Sequence, residues 1–214
     1  MSDVKIYTKN MLATTNKERM MAKDVIKMDP DIACFQEVNR DNNKIIRFLE
    51  QVYPYHYLDY LQVYREGKNG GLLIVSKTPL THTKTKRGAA LISAKTTVRG
   101  NELTICNLHF TPSWKDSRLF YKQVSHAVRY VSHIHGLKFV AGDFNNTVQE
   151  HALTAFQNTG VKPIYDYKGT VRHYGIEREI DFVLVPNGWT GEKKRRALLG
   201  SDHYGVFVKA TSNP

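Results

Sequence analysis

The chain has 214 residues, 41% hydrophobic and 24% charged, which is enough for one large domain with a sizeable core and too apolar for global disorder. No apolar run approaches the length that crosses a bilayer, and two cysteines, Cys34 and Cys106, form neither a disulfide framework nor a four-cysteine zinc site. Thirty-one basic against 20 acidic residues give a net charge of +11, which draws polyanions and makes nucleic acid the leading partner class, ahead of an anionic membrane surface.

Residues 4–9 alternate as a strand, and Thr15 with Glu18 reads as a Thr-x-x-Glu capping box opening a helix that stops near Asp29-Pro30. DIACFQ, 31–36, is a short buried strand ending on Gln36-Glu37. A helix is predicted from Asp41 to about Gln51, with Ile45, Ile46, Phe48 and Leu49 as its apolar face, followed by an aromatic strand at 55–61. Gly70-Gly71 opens the apolar strand LLIVS, and two strands around Arg99-Gly100-Asn101 read as a hairpin whose second arm, LTICNL, leads to Asn107 and His109. From 116 to 135 the apolar residues recur at helical spacing, and LKFVAG then makes a strand that presents Asp143, Asn145 and Asn146. A helix near 149–158 and strands at 180–185 and 204–210 complete the chain, so mixed sheets with helices packed outside are predicted. No repeat, low-complexity tract or linker divides it, and one domain over 1–214 is expected.

Cys34 and Cys106 sit in apolar strands and read as buried thiols. The start of the chain, MSDVKIYTKN, has no signal-peptide pattern, so an intracellular protein is expected, cytoplasmic or nuclear.

Polar residues able to ligate a metal or move protons recur where the predicted strands run out. They are Asn10, Glu37, Asn107, His109, Asp143, Asn145, Asp181, Asp202 and His203. Taken singly, each has an ordinary role as a strand-end acid, a turn-forming Asx residue or a structural histidine. Six segments repeating the pattern point to one convergent site, because strand ends hold side chains at fixed separation within reach of substrate.

The ordered set Asn10, Phe35-Gln36-Glu37, Asn107-Leu108-His109, Gly142-Asp143-Phe144-Asn145, Ile180-Asp181-Phe182 and Ser201-Asp202-His203 resembles the endonuclease/exonuclease/phosphatase superfamily, with its deoxyribonuclease I-like fold. The segment from Gly70 to Pro79 is similar to that family's central strand, and the match spans about residues 4–208. The resemblance implies a four-layer α/β sandwich of two mixed, mainly antiparallel sheets flanked by helices, and a divalent-metal-dependent phosphodiesterase acting as an endo- or exonuclease. Same-fold alternatives act on phosphoinositides, sphingomyelin or protein–DNA adducts, and a catalytically inactive binding module is a further one.

By the same resemblance, Glu37 would ligate Mg2+ or Mn2+, with Asn10 as a ligand directly or through water and Asp202 in the metal or water network. Asp143 would orient or deprotonate the attacking water, while Asn145 would hold phosphate or nucleophile. His109 would bond a phosphate oxygen, and His203, partnered by Asp181, would contact the scissile phosphate. Asn107 is placed among the substrate-binding residues. A basic run, Lys193, Lys194, Arg195 and Arg196, lies just before Ser201 and reads as a grip on the nucleic-acid backbone, a nuclear-localisation signal or a solvated loop. Lys84, Lys86 and Arg87 form a second basic group, Glu66 is a candidate partner for His109, Arg118 a candidate phosphate contact, and Tyr64, Trp114 and Tyr174 are candidate stacking residues. A monomer is expected.

Overall fold

The computed structural model describes residues 3–13, 16–39, 44–63, 69–147, 151–173 and 176–213. In chain order its elements are β1 (Asp3–Asn10), α1 (Glu18–Met28), β2 (Ile32–Asn39), α2 (Lys44–Leu49), β3 (Tyr55–Val63), β4 (Asn69–Ser76), β5 (Thr81–Lys86), β6 (Leu91–Val98) and β7 (Asn101–His109). There follow α3 (Ser117–Ser132), β8 (Leu137–Asp143), α4 (His151–Gln157), β9 (Val161–Pro163), β10 (Val171–His173), β11 (Ile176–Arg178), β12 (Asp181–Pro186), β13 (Trp189–Arg195) and β14 (Val206–Ser212). A single 3-10 turn, Arg87–Ala89, joins β5 to β6.

Two six-stranded sheets stack face to face, in the orders β13-β14-β1-β2-β4-β3 and β5-β6-β7-β8-β12-β9, with β10-β11 as a separate hairpin. Each six-stranded sheet contains one parallel pair, β1–β2 or β7–β8, and the other pairings are antiparallel. A parallel neighbour needs a crossover, supplied by α1 in one sheet and α3 in the other. The four layers are therefore helices, sheet, sheet, helices, as the sequence predicts.

Side-chain alternation explains the three apolar clusters. Val4, Ile6 and Ile74 of the first sheet meet Ile105, Phe139 and Val183 of the second between the sheets. Phe120, Val124, Ala127 and Val131 of α3 recur at three or four and cover the outer face of the second sheet. Met21, Ala22 and Val25 of α1 cover the outer face of the first. Phe139, fully buried and edge-on to Trp189 at 5.4 Å, stabilises the middle layer by about 2–3 kcal/mol. Both cysteines are buried thiols.

Several predicted boundaries move. Thr15 lies outside the described residues, and α1 begins at Glu18, capped at Lys17 without a side-chain hydrogen bond, so Glu18 does not occupy the third position of a capping box. By contrast, α3 is capped by Asp116, whose Oδ1 accepts from Leu119 N at 2.9 Å. The helices predicted at 41–51 and 149–158 are described as α2 and α4, which end earlier, at Leu49 and Gln157, while 41–43 and 149–150 lie outside the described residues. The predicted hairpin closes through Arg99 and Gly100, whose φ angles of 48° and 82° suit a two-residue turn matched to the strand twist. Strands β5 and β13 were not predicted, because edge strands reading THTKTK and WTGEKKR carry lysines and threonines where an apolar alternation would have marked them.

Candidate active site

Both parallel pairs run out at the same edge of the sandwich. In β7 and β8, His109 and Asp143 are register partners, and β12, antiparallel to β8, begins there with Asp181 opposite Asp143. Gly142 makes the approach possible: its φ is +144°, and a Cβ there would fall 2.0 Å from Leu108 O. In the first sheet Asn10 and Gln36 are register partners. Alternation alone would turn Glu37 to the outer face, but the β2–β4 register shifts between Phe35 and Val38, and Glu37 takes a φ of 56°. This bulge re-aims the carboxylate toward the edge where the other groups gather.

Asn10 couples the sheets. Its Nδ2 donates to Glu37 Oε1 and to Asp143 Oδ2, both at 3.0 Å, while its Oδ1 accepts from Leu12 N. Glu37 Oε2 accepts from Ala13 N at 3.2 Å. Asp143 Oδ1 accepts from Asn145 N at 2.8 Å, and Asp143 Oδ2 lies 3.5 Å from His109 Nε2 and 3.7 Å from His203 Nε2. His109 Nε2 is also 3.8 Å from Glu37 Oε1. An aspartate thus sits between two imidazoles. Burial, then the charge of Asp181, push the Asp143 carboxyl above its ordinary pKa, against the pull of both histidines and Asn10.

His203 is held from every side. Its Nδ1 pairs with Asp181 Oδ2 at 2.9 Å, which fixes Nε2 toward Asp143 and the cleft. Its N–H donates to Ser201 Oγ, and Ser201 Oγ donates to Asn10 O. Burial alone would lower the imidazole pKa, but Asp181 and Asp143 outweigh it and raise the value to about 10. Thr170 Oγ1 accepts from both Ile180 N and Asp181 N, locking the start of β12. Asp202, 46% exposed, stands at the mouth with Oδ1 4.0 Å from His203 Nε2. A cavity of about 510 Å³ opens beside it, lined by Trp114, Asn145, Asn146, Arg178, Asp202 and His203 among others.

Several expectations are corrected. Asn107 is fully buried, donating to Phe35 O and Leu73 O and accepting from Gln36 Nε2, so it pins the two sheets together and does not reach substrate. Asn10 turns its nitrogen toward the two carboxylates, so as held it positions them. Lys193 is buried in ion pairs with Glu179 and Asp166, Arg195 pairs with Glu177 and Gly169 O, and Arg196 grips Asp24. These three basic side chains tie the fold together; of the run, Lys194 is the exposed member. Asn145 Nδ2 donates to Phe110 O, and its backbone takes a φ of 48°. Arg118 is exposed near the start of α3. Glu66, Tyr64 and Tyr174 lie outside the described residues.

Lys9 was missed. Fully buried, it donates through Nζ to His203 O at 2.7 Å and Ala197 O at 3.3 Å, holding the segment that carries His203. The signal available was a lysine wedged between Thr8 and Asn10 at the end of a core strand.

The donor set suits a hard divalent cation. Glu37 offers a carboxylate 18% exposed, and ligand atoms of Asp143, Asp181 and His203 lie within 4.8 Å of one another. Gln36 Oε1, Asn146 Oδ1 and Asp181 Oδ1 are buried acceptors with no hydrogen-bond partner, and all three belong to segments that end at this edge. Such a concentration of unmatched oxygen is what a cation or its water ligands would complete.

The model of the Endonuclease/Exonuclease/phosphatase family matches residues 10–203. No curated protein sequence matches the chain significantly. Among solved structures, an endonuclease/exonuclease/phosphatase family protein from Leptotrichia buccalis is 16% identical with a TM-score of 0.79, covering 97% of this chain and 99% of that one. D. rerio TDP2 complexed with single strand DNA product is 15% identical with a TM-score of 0.76, covering 99% and 100%. Sphingomyelinase C from Streptomyces griseocarneus is 15% identical with a TM-score of 0.70, covering 100% of both chains. At these identities the likeness is one of fold.

Proposed function

The chain belongs to the endonuclease/exonuclease/phosphatase family, and from that premise we propose that it is a divalent-metal-dependent phosphodiesterase, with nucleic acid as its substrate and residues 1–214 forming one such domain. The observation that carries this reading is the placement of Asp143 between His109 and His203, with Glu37 brought alongside by the β2 bulge. The net charge of +11 favours a polyanionic substrate.

Hydrolysis of a phosphodiester needs a water activated in line with the leaving oxygen, and charge neutralised on the phosphoryl oxygens. Asp143 Oδ2, raised in pKa by burial and flanked by donors, takes the proton of the attacking water. His203 is a cation at neutral pH because Asp181 and Asp143 hold its proton, and its Nε2, 3.7 Å from Asp143 and 4.0 Å from Asp202, donates to a phosphoryl oxygen in the cleft. His109 supports the same oxygens from the opposite side of Asp143. Asn10 keeps Glu37 and Asp143 at fixed separation. Mg2+ or Mn2+ bound through Glu37 would supply Lewis-acid neutralisation of the phosphoryl and leaving oxygens.

Cleavage of end-labelled single- and double-stranded DNA and RNA with Mg2+, Mn2+ or EDTA, for wild type and His203→Ala, tests the reading. Metal-dependent cleavage lost in the variant is expected, and the product ladder separates endo from exo action. Failure to cleave any polymer, with release of phosphate or headgroup from liposomes or from protein–DNA adducts instead, would move the same site to another ester.

A further inference from the structure

A groove larger than the catalytic cleft lies on the flank of the second sheet. It has a volume of about 730 Å³ and runs between β5, the Arg87–Ala89 turn and α3, lined among others by Asp59, Lys86, Arg87, His126, Arg129 and His133. We propose that this groove is a second binding site for the phosphate backbone of a nucleic-acid strand, taken by the part of the strand that extends beyond the catalytic cleft. The proposal rests on the nucleic-acid reading above.

The charge in the groove is mostly unspent. Among the described residues Lys86 and Arg129 pair with no carboxylate, and Arg87, with a 68% exposed side chain, stands 3.5 Å from Asp59, the acid that lines the groove. Lysines on an edge strand commonly guard against pairing with another sheet, and that accounts for Lys84 and Lys86. It does not account for His126 and Arg129 of α3 and His133 at its C-terminal cap, which line the same cavity. The floor is fixed: the Lys86 ammonium lies 5.1 Å from the centre of the Tyr130 ring, and Tyr130 Oη and Ser93 Oγ are hydrogen-bonded at 2.7 Å. Ala90, next after the turn that lines the groove, accepts His109 N through its carbonyl at 3.0 Å, which ties the end of the turn to the strand that carries His109.

A strand fits this surface better than a bilayer does. Membrane-surface binding needs apolar side chains around the basic ones, and none of the large exposed hydrophobic residues among the described ones lines the groove. A concave basic channel instead tracks a flexible phosphate backbone.

Fluorescence anisotropy in EDTA, with labelled single strands of about four and about sixteen nucleotides, tests the proposal in wild type and in the combined variant Lys86→Gln, Arg87→Gln, Arg129→Gln. All three positions are exposed, and a thermal melt of the variant, together with Arg129→Gln alone, guards against a folding effect. The long strand is expected to bind about tenfold more weakly to the combined variant, with the slope of log affinity against log salt smaller by about two. The short strand should bind alike to both, and metal-dependent hydrolysis of a small aryl phosphodiester should be unchanged. An unaltered affinity and slope for the long strand would overturn the groove while leaving the catalytic reading standing. Loss of binding to phosphatidylserine vesicles, with oligonucleotide binding intact, would overturn it in favour of a membrane. A wild-type protein that neither binds nor cleaves any strand would overturn the nucleic-acid reading itself.

Discussion

In the second sheet, β7 and β8 set His109 beside Asp143 in unbroken parallel register, and Gly142 lets the two backbones close up just before the carboxylate. In the first sheet, β1 and β2 set Asn10 beside Gln36, and the carboxylate arrives one residue later through a bulge with Glu37 in the left-handed region. The two pairs share an architecture, a parallel pair with a helical crossover, and differ in how the acid is aimed. Regular strands hold the second-sheet acid rigid and fully buried, where its pKa rises and it can handle protons. The bulge leaves the first-sheet acid partly exposed, where it stays reachable by a cation. In the proposed mechanism the second-sheet acid takes the proton and the first-sheet acid holds the cation, with Asn10 bonded to both.

The sharpest way to break this division is Asp143→Asn, which keeps the shape and the Asn145 contact but removes the charge between the histidines. Single-turnover hydrolysis should fall by about 10³-fold or more, while the melting temperature falls modestly, because the amide nitrogen that replaces Oδ2 faces the Asn10 Nδ2 donor and the His203 cation. Retained turnover would place the proton transfer elsewhere. On the first-sheet side, Glu37→Gln should weaken Mn2+ binding, measured by calorimetry, by about tenfold or more, with little change in melting temperature. EDTA should abolish turnover in wild type. Equal Mn2+ affinity in Glu37→Gln would remove the metal role from the bulge.

Lys9 and His203 sharpen the comparison through pH. His203 is held above its ordinary value, so its contribution to stability is whole below 6.5 and is lost as pH climbs toward 10. Lys9 is held down to about 8, chiefly by burial, so it destabilises the fold below that pH and the penalty is relieved as pH rises toward 10.5. Between pH 8 and about 9, below the range in which the buried thiols Cys34 and Cys106 would ionise in the unfolded chain and pull stability down, the two oppose one another, each by about 1.4 kcal/mol per pH unit. Urea unfolding of the metal-free protein should therefore be nearly flat across that window in wild type. Lys9→Met should make stability fall with rising pH, and His203→Gln should make it rise. Parallel curves for all three proteins would rule out this pairing of charges.

Much of this was legible in the sequence, and the limits have a common cause. Core strands announce themselves by apolar alternation, and the polar residues that end them, from Asn10 to His203, mark an edge where chemistry collects. What a residue bonds to across the fold is set by register, which one sequence does not display. Asn107 therefore reads like its neighbour His109, although it pins Phe35 and Leu73 across the sheets. The run from Lys193 to Arg196 reads as a basic rim because its acids, Asp24, Asp166, Glu177 and Glu179, lie in other segments. The bulge at Glu37 was invisible for the same reason, since it is a mismatch between β2 and β4 and not a property of either.

The smallest expected effect concerns the wall of the cleft and not its floor. Trp114 is 78% exposed and lines the same cavity as His203 and the 59% exposed Ile176. An indole so exposed contributes little to folding, so Trp114→Ala should leave the melting temperature within about a degree, as surface substitutions do. If the indole stacks on a base flanking the scissile phosphate, its removal costs about 1 kcal/mol, the low end for base–aromatic stacking, and KM for a single strand rises about fivefold. The rate constant for bound substrate should stay the same, because none of the groups around Asp143 touches the indole in the contacts that hold the site together. The base-free aryl phosphodiester discriminates: its KM should not move if Trp114 reads bases, and should rise in step if the indole merely shapes the mouth around His203.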